Sequence, residues 1–142
     1  MDKISPEQRH YTMSRIRGKD TKPEILVRKY LFSEGFRFRK NDKRYPGHPD
    51  IVLPKYKTVV FVNGCFWHGH EGCKYYTVPK TNTDFWVAKV QRNQARDKAD
   101  VAALESMGWR VIVVWECQLE KRDRAQTLSD LVSDLRLHLG IQ

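Results

Sequence analysis

Cysteine is scarce and odd in number in this 142-residue chain, with three copies. A secreted domain held by disulfides uses more of them, in even number, so the sequence reads as one kept in a reducing compartment. Long apolar runs are missing as well. None approaches the roughly 18 residues that a membrane helix requires, so no membrane partner is expected. The opening MDKISPEQRHYTM has no apolar stretch of the kind that a secretory signal carries, and a cytoplasmic protein is the expectation. No repeat, low-complexity tract or linker is visible, which predicts a single domain over 1–142. Acidic residues are in deficit, 17 Asp+Glu against 26 Lys+Arg, for a formal net charge of +9. Hydrophobic residues at 40% and aromatics at 11% exclude a disordered basic tail.

The excess positive charge is unevenly placed. Residues 1–45 hold 13 Lys+Arg and 6 Asp+Glu, net +7, whereas residues 46–142 hold 13 and 11, net +2. A charge present only for solubility has no reason to sort in this way. A face that binds the phosphates of nucleic acid does, because each contact releases counterions.

Capping and periodicity divide the chain. Ser5-Pro6 predicts a first short helix, and Thr21-Lys22-Pro23-Glu24 opens a second with the spacing of a capping box. Gly35 ends it. The alternation Phe36-Arg37-Phe38-Arg39 predicts a strand. Asp50–Leu53 and Thr58–Val62 predict a hairpin of buried strands around Pro54–Lys57. A loop rich in Gly, His and Cys follows at 63–82. A long helix is expected from about Asp84 to Met107, a buried strand over Arg110–Trp115, and a last amphipathic helix from about Arg124 to Leu139. The order α-α-β-β-β-loop-α-β-α implies one α/β domain with a mixed central sheet flanked by helices.

Cys65-Phe66-Trp67-His68-Gly69-His70-Glu71-Gly72-Cys73 packs two Cys and two His into nine residues, and Cys117 follows the last expected strand. Three thiolates and one imidazole suit a closed tetrahedral Zn²⁺ site that would tie the loop to the end of that strand. His70, three residues before Cys73, fits better as the fourth ligand than His68. The competing reading is three buried free thiols and two loop histidines. His68, left over, is either a base able to take a proton from water or a surface histidine.

Asp50 opens a buried strand, where a carboxylate is costly unless it caps, pairs or binds a metal. The next strand ends at Val62-Asn63-Gly64, close to Asp50 if the hairpin forms. A Pro-Asp step followed by a second metal position on the next strand is the layout of many Mg²⁺-dependent nucleases; Mg²⁺ prefers oxygen ligands and keeps several waters. The acid-x-Lys usual on that second strand is lacking, so such a site needs a backbone carbonyl and a different base. The competing reading has Asp50 cap the turn. Phe66, Trp67 and Trp86 stand among polar residues, as aromatics that stack on bases or wedge between them do. Trp86, Lys89, Asn93 and Arg96 share one face of the long helix, within about 80° at 100° per residue, rich in donors for groove edges and phosphates. Val87, Val90 and Val101 are expected in the core, as are Trp109 and Trp115.

GHPDIVL, FVNGCFWHGHEGC, FWVAKVQRNQARD and GWRVIVVWEC together resemble the very short patch repair endonuclease family, from about residue 9 to about 120. The resemblance implies a restriction-endonuclease-like core with a structural zinc site. It implies an enzyme that nicks duplex DNA 5′ of the T in a T·G mismatch left by deamination of 5-methylcytosine. By that resemblance Asp50 is the Mg²⁺ ligand, with the Val62 carbonyl beside it. His68 is the base that activates water, and Glu24 is an accessory catalytic carboxylate, a role compatible with capping. Cys65, His70, Cys73 and Cys117 hold Zn²⁺. Phe66, Trp67 and Trp86 intercalate beside the mismatch, Met13 enters from the N-terminal helix, and Lys89 and Asn93 face the bases. Residues 1–20 would clamp DNA and 21–142 form the catalytic core. A monomer suffices for one asymmetric mismatch, and mismatch-repair proteins are further candidate partners. Asn63 departs from the family, whose better-known members carry His there. An Asn donates a hydrogen bond but carries no proton at neutral pH. One extra residue also separates His70 from Cys73. Two other readings stand beside this one: a non-catalytic zinc-stabilised module that binds distorted DNA, and a related nuclease with another DNA substrate.

Overall fold

The computed structural model describes residues 21–141. The helix expected at Ser5-Pro6, Met13 and the clamp segment 1–20 lie outside the described residues.

Helix α1 (Lys22–Ser33) begins at Thr21 with Pro23 in its first turn. The capping box forms: Glu24 N–H donates to Thr21 Oγ1 (3.4 Å), and Thr21 N–H donates to Glu24 Oε2 (3.2 Å). After Gly35 the chain buries Phe36, whose ring lies 5.2 Å from that of Tyr56. That burial corrects the strand expected over 36–39. Phe36 serves packing, and ladder pairing begins only at β1 (Arg39–Lys40), where both side chains are exposed.

Strands β2 (Ile51–Leu53) and β3 (Thr58–Asn63) form the antiparallel hairpin, with Ile51 opposite Val60 and Leu53 opposite Thr58. A 3-10 turn, Pro54–Tyr56, joins them and closes on Lys57 in the left-handed region at φ 51°. The long loop and helix α2 (Thr83–Ser106) then cross over to β4 (Arg110–Trp115), which runs parallel to β3 with Asn63 beside Trp115. The result is a mixed four-stranded sheet in the order β1-β2-β3-β4. Helix α3 (Arg124–Ile141) follows a 3-10 turn at Glu116–Leu119. Only Val114 of β4 is buried. The strand was expected to be buried throughout; as an edge strand among the described residues it pairs on one side only.

The strand residues alternate between two cores. Ile51, Leu53, Val60, Val62 and Val114 pack with Val27 and Leu31 of α1 and Leu128, Leu131, Val132 and Leu135 of α3. Val52 and Val59 pack with Leu104 and Trp109 on the opposite face. Helices therefore cover the sheet on both faces, which is why β2 and β3 read as continuous apolar runs. Of the valines expected in the core along α2, only Val90 is fully buried; Val87 and Val101 are partly exposed. No described helix is long and apolar enough to cross a membrane. The carboxyl ends of β3 and β4 lie together, and from there the loop 64–82 departs.

Candidate active site and metal centre

The hairpin register brings Asp50 level with the end of β3. Val62 N–H donates to Asp50 Oδ2 at 2.6 Å. The backbone group of Val62 seen against the carboxylate is thus its N–H; the carbonyl belongs to the same residue. Glu24, 3% exposed, hydrogen-bonds to Asp50 from α1. The Arg28 guanidinium stands 3.7 Å from Glu24 Oε2. Burial, and then the Glu24 carboxyl, push the Asp50 pKa up to about 8, against the pull of the Val62 N–H and the Arg28 charge. Two carboxyls this close, away from water, resist holding two negative charges. Hard oxygen donors with an excess of negative charge are what a small divalent cation requires, so Glu24 and Asp50 fit a cation. Glu24 completes the capping box and the acid pair at once. Asn63, 8% exposed, ends β3 next to this pair.

His68 stands at the start of the loop, and its Nδ1 lies 2.6 Å from Asp97 Oδ2 on α2. A carboxylate accepts only, so Nδ1 donates, and in the neutral imidazole that tautomer leaves the lone pair on Nε2. Asp97 was missed in the sequence, although at 100° per residue it lies about 20° from Trp86 on the face already singled out. Two more bonds fix the loop to the helix. Asn93 Nδ2 donates to the Trp67 carbonyl (2.8 Å), and Gln94 Nε2 donates to the Gly69 carbonyl (3.0 Å). Residues 67, 68 and 69 are each held by one side chain of α2. The approach is so close that a Cβ on Gly69, at φ 59°, would run into Gln94 Nε2 and Val90 Cγ1. Asn93 was expected to face the bases. It is 9% exposed and turned to the loop, and its Oδ1 accepts from exposed Arg96 NH2 at 2.6 Å.

Three segments supply a second cluster. Cys65, His70, Cys73 and Cys117 offer ligand atoms that all lie within 4.8 Å of one another, a group able to hold a metal ion. Cys117 N–H donates to Cys65 Sγ (3.4 Å), and Cys117 Sγ is 3.5 Å from His70 Nδ1. The His70 ring stacks on Trp115 at 4.0 Å and 3°. Trp115 was expected in the core; instead it is partly exposed and backs this cluster, because β4 is an edge strand. Burial pushes the Cys65 thiol up to about 12 and raises that of Cys117, while the Tyr75 backbone lowers that of Cys73.

Phe66, Trp67 and Trp86 form one aromatic group, with ring centroids 5.3, 5.7 and 5.9 Å apart. Tyr76 and the exposed Phe85 join it, the first against Phe66 and the second against Trp86. Lys89 is partly buried on the same helix. A concavity of about 470 Å³, lined by Lys57, Glu105, Gly108, Trp109, Arg110 and His138, opens at the opposite ends of β3 and β4 from the acid pair and takes no part in this arrangement.

A family model described as DNA mismatch endonuclease Vsr matches residues 1–74. The type II nicking enzyme V.NmeAIP of Neisseria meningitidis serogroup A is 55% identical over 121 residues, 85% of this chain and 86% of that protein. The type II nicking enzyme V.XorIIP of Xanthomonas oryzae is 52% identical over 118 residues, 83% of this chain and 86% of that protein. The DNA mismatch endonuclease Vsr of Escherichia coli K12 is 41% identical over 116 residues, 82% of this chain and 74% of that protein.

Proposed function

Because the chain belongs to the DNA mismatch endonuclease Vsr family, and is on that ground a DNA endonuclease, we propose that it nicks one strand of duplex DNA 5′ of the T in a T·G mismatch, as left by deamination of 5-methylcytosine. The observation that carries this reading is the adjacency of Trp67 and His68 on a loop bound to α2, with the Glu24–Asp50 pair at the neighbouring strand end. We read the sheet as a restriction-endonuclease-like core, residues 21–142 as the catalytic core and residues 1–20, with Met13, as a segment that clamps DNA. The protein acts as a cytoplasmic monomer, and mismatch-repair proteins are its candidate partners.

Asp50, Glu24 and the Val62 carbonyl would hold Mg²⁺, which when bound supplies positive charge against the phosphate. Cys65, His70, Cys73 and Cys117 would hold Zn²⁺ as a closed structural site, since three thiolates and one imidazole leave no open position. His68 Nε2 takes the proton from the attacking water, and Asp97 keeps the imidazole in the right tautomer and orientation. Asn63 donates a hydrogen bond toward the scissile phosphate. Phe66, Trp67 and Trp86 insert beside the mismatch. Lys89 faces the bases, Arg96 meets the backbone, and Asn93 holds the Trp67 carbonyl in place of a base contact.

A nicking assay on T·G and matched duplexes with Mg²⁺ tests the reading. The expected result is a nick in the T strand of the mismatched duplex alone; mismatch binding without a nick would overturn it. Asp97→Asn keeps an acceptor for Nδ1–H but loses the charge that steadies a protonated His68. Its single-turnover rate is expected to fall about 10²–10⁴-fold with mismatch affinity little changed. A rate within about twofold of the parent would remove Asp97 from the chemistry.

A further inference from the structure

Most of the positive charge of residues 21–45 is not used by the chemistry above. Within the described part, residues 21–45 hold eight Lys+Arg and three Asp+Glu. The three acids are engaged: Glu24 in the acid pair, Asp42 in a fork to Arg44 at 2.7 and 2.9 Å, and Glu34 at 3.6 Å from Arg136. A concavity of about 340 Å³ lies between α1 and β1, lined by Arg28, Lys29, Phe32, Ser33, Phe38 and Lys40. Among the described residues no carboxylate lines it. Phe32 is 58% exposed, with the Arg37 guanidinium 4.4 Å over its ring.

Both walls begin at the active site. On α1, Arg28 reaches Glu24, and Lys29 and Phe32 lie about 7.5 and 12 Å further along the axis from Glu24 at 1.5 Å per residue. On β1, Lys40 pairs with Ile51, the residue after Asp50. A strand whose phosphate sits at the acid pair would pass over this concavity for about two to four nucleotides, at 3.4 Å of rise per nucleotide. Lys29 and Lys40, exposed and with no described carboxylate in the lining, suit successive phosphates, and an exposed ring beside them suits deoxyribose. We propose that this concavity holds the sugar–phosphate backbone of duplex DNA on one flank of the nick. Lys29 and Lys40 contact phosphates there, and Phe32 lies against the sugars. The proposal rests on the endonuclease reading and adds a second anchor to it.

The test compares the parent with the Lys29→Ala/Lys40→Ala double variant. Both side chains are exposed, so the melting temperature is expected to stay within about a degree or two. Binding of mismatched duplex is expected to weaken roughly tenfold at about 0.15 M salt, and the slope of log affinity against log salt to fall by about 2. The loss should appear in KM rather than kcat. Duplexes trimmed to one or four nucleotides beyond the nick, on each side in turn, locate the contact. The parent should lose affinity with trimming on one flank, and the double variant should be indifferent to it on that flank. A double variant with the parent's salt slope and trimming loss would overturn the groove while leaving the endonuclease standing. A parent that never nicks DNA would overturn the endonuclease reading and the groove with it. Binding of an acidic peptide in preference to duplex by the parent, lost in the double variant, would also overturn it.

Discussion

Asp50→Asn is expected to abolish nicking while leaving the fold intact. A cation beside the transferred phosphate contributes several kcal/mol to the transition state, so the rate should fall by about 10³ or more. The same substitution should make the cation-free protein more stable at high pH. Burial, and then Glu24, hold the Asp50 proton up to about 8, whereas an unfolded Asp releases it near 4. Between those values the folded chain binds a proton that the unfolded chain does not, so stability falls as pH rises from about 4 to about 8. Asparagine carries no such proton, and the difference near pH 8 should be on the order of 5 kcal/mol in its favour. Thermal unfolding of both proteins from pH 4 to 9 measures this, with and without Mg²⁺. Mg²⁺ should raise the parent's melting temperature at pH 8 and leave the variant's nearly unchanged. A variant that still nicks, or a parent as pH-sensitive as its variant, would dissolve the acid pair as a cation site.

Cys73→Ser is expected to have the largest effect on stability. Its thiol closes a cluster drawn from the end of β3, the loop and the end of β4, with Cys65 and Cys117 separated by 52 positions. A loop of this length, without regular secondary structure of its own, carries an ordering cost that the proposed Zn²⁺ offsets. Structural zinc contributes about 10–16 kcal/mol in small peptides, so loss of one thiolate should remove several kcal/mol here. The expected result is loss of bound metal by elemental analysis, a melting temperature lower by 10 °C or more, and loss of nicking, because the same loop carries His68. A serine variant with full metal content and an unchanged melting temperature would rule out a structural site.

The parts of the fold governed by local rules were legible in the sequence. The capping box at Thr21, the Pro54–Lys57 turn, the limits of α2 and the strand Arg110–Trp115 each depend on a few neighbouring residues. The positions decided by distant partners were harder to read. Phe36 and Phe38 alternate as a strand would, yet Phe36 is taken by the core. The edge place of β4, and with it the surroundings of Trp115, follows from sheet order, which no single strand encodes. At the site, the residue types pointed to the Cys/His group able to hold a metal ion and to Asp50, while Glu24 as a site carboxyl came only from the family resemblance. Their coupling is long-range: Glu24 meets Asp50 across 26 positions, and His68 meets Asp97 across 29. Asn93 shows the same limit. Helical spacing groups it with Trp86 and Lys89, but where the loop docks decides whether that amide meets a base or a carbonyl.

The three bonds from α2 to residues 67–69 turn two tasks into one measurement. Trp67 and His68 are adjacent, and neither can shift without the other while Asn93, Gln94 and Asp97 hold the segment. If Trp67 and His68 have the proposed roles, the protein works as a ruler with a single graduation. Under the proposed function, the water that His68 would activate lies a set number of bonds from the place where the Trp67 ring would enter the duplex, so the address of the cut would be written in the protein's own backbone and not in a search along the strand.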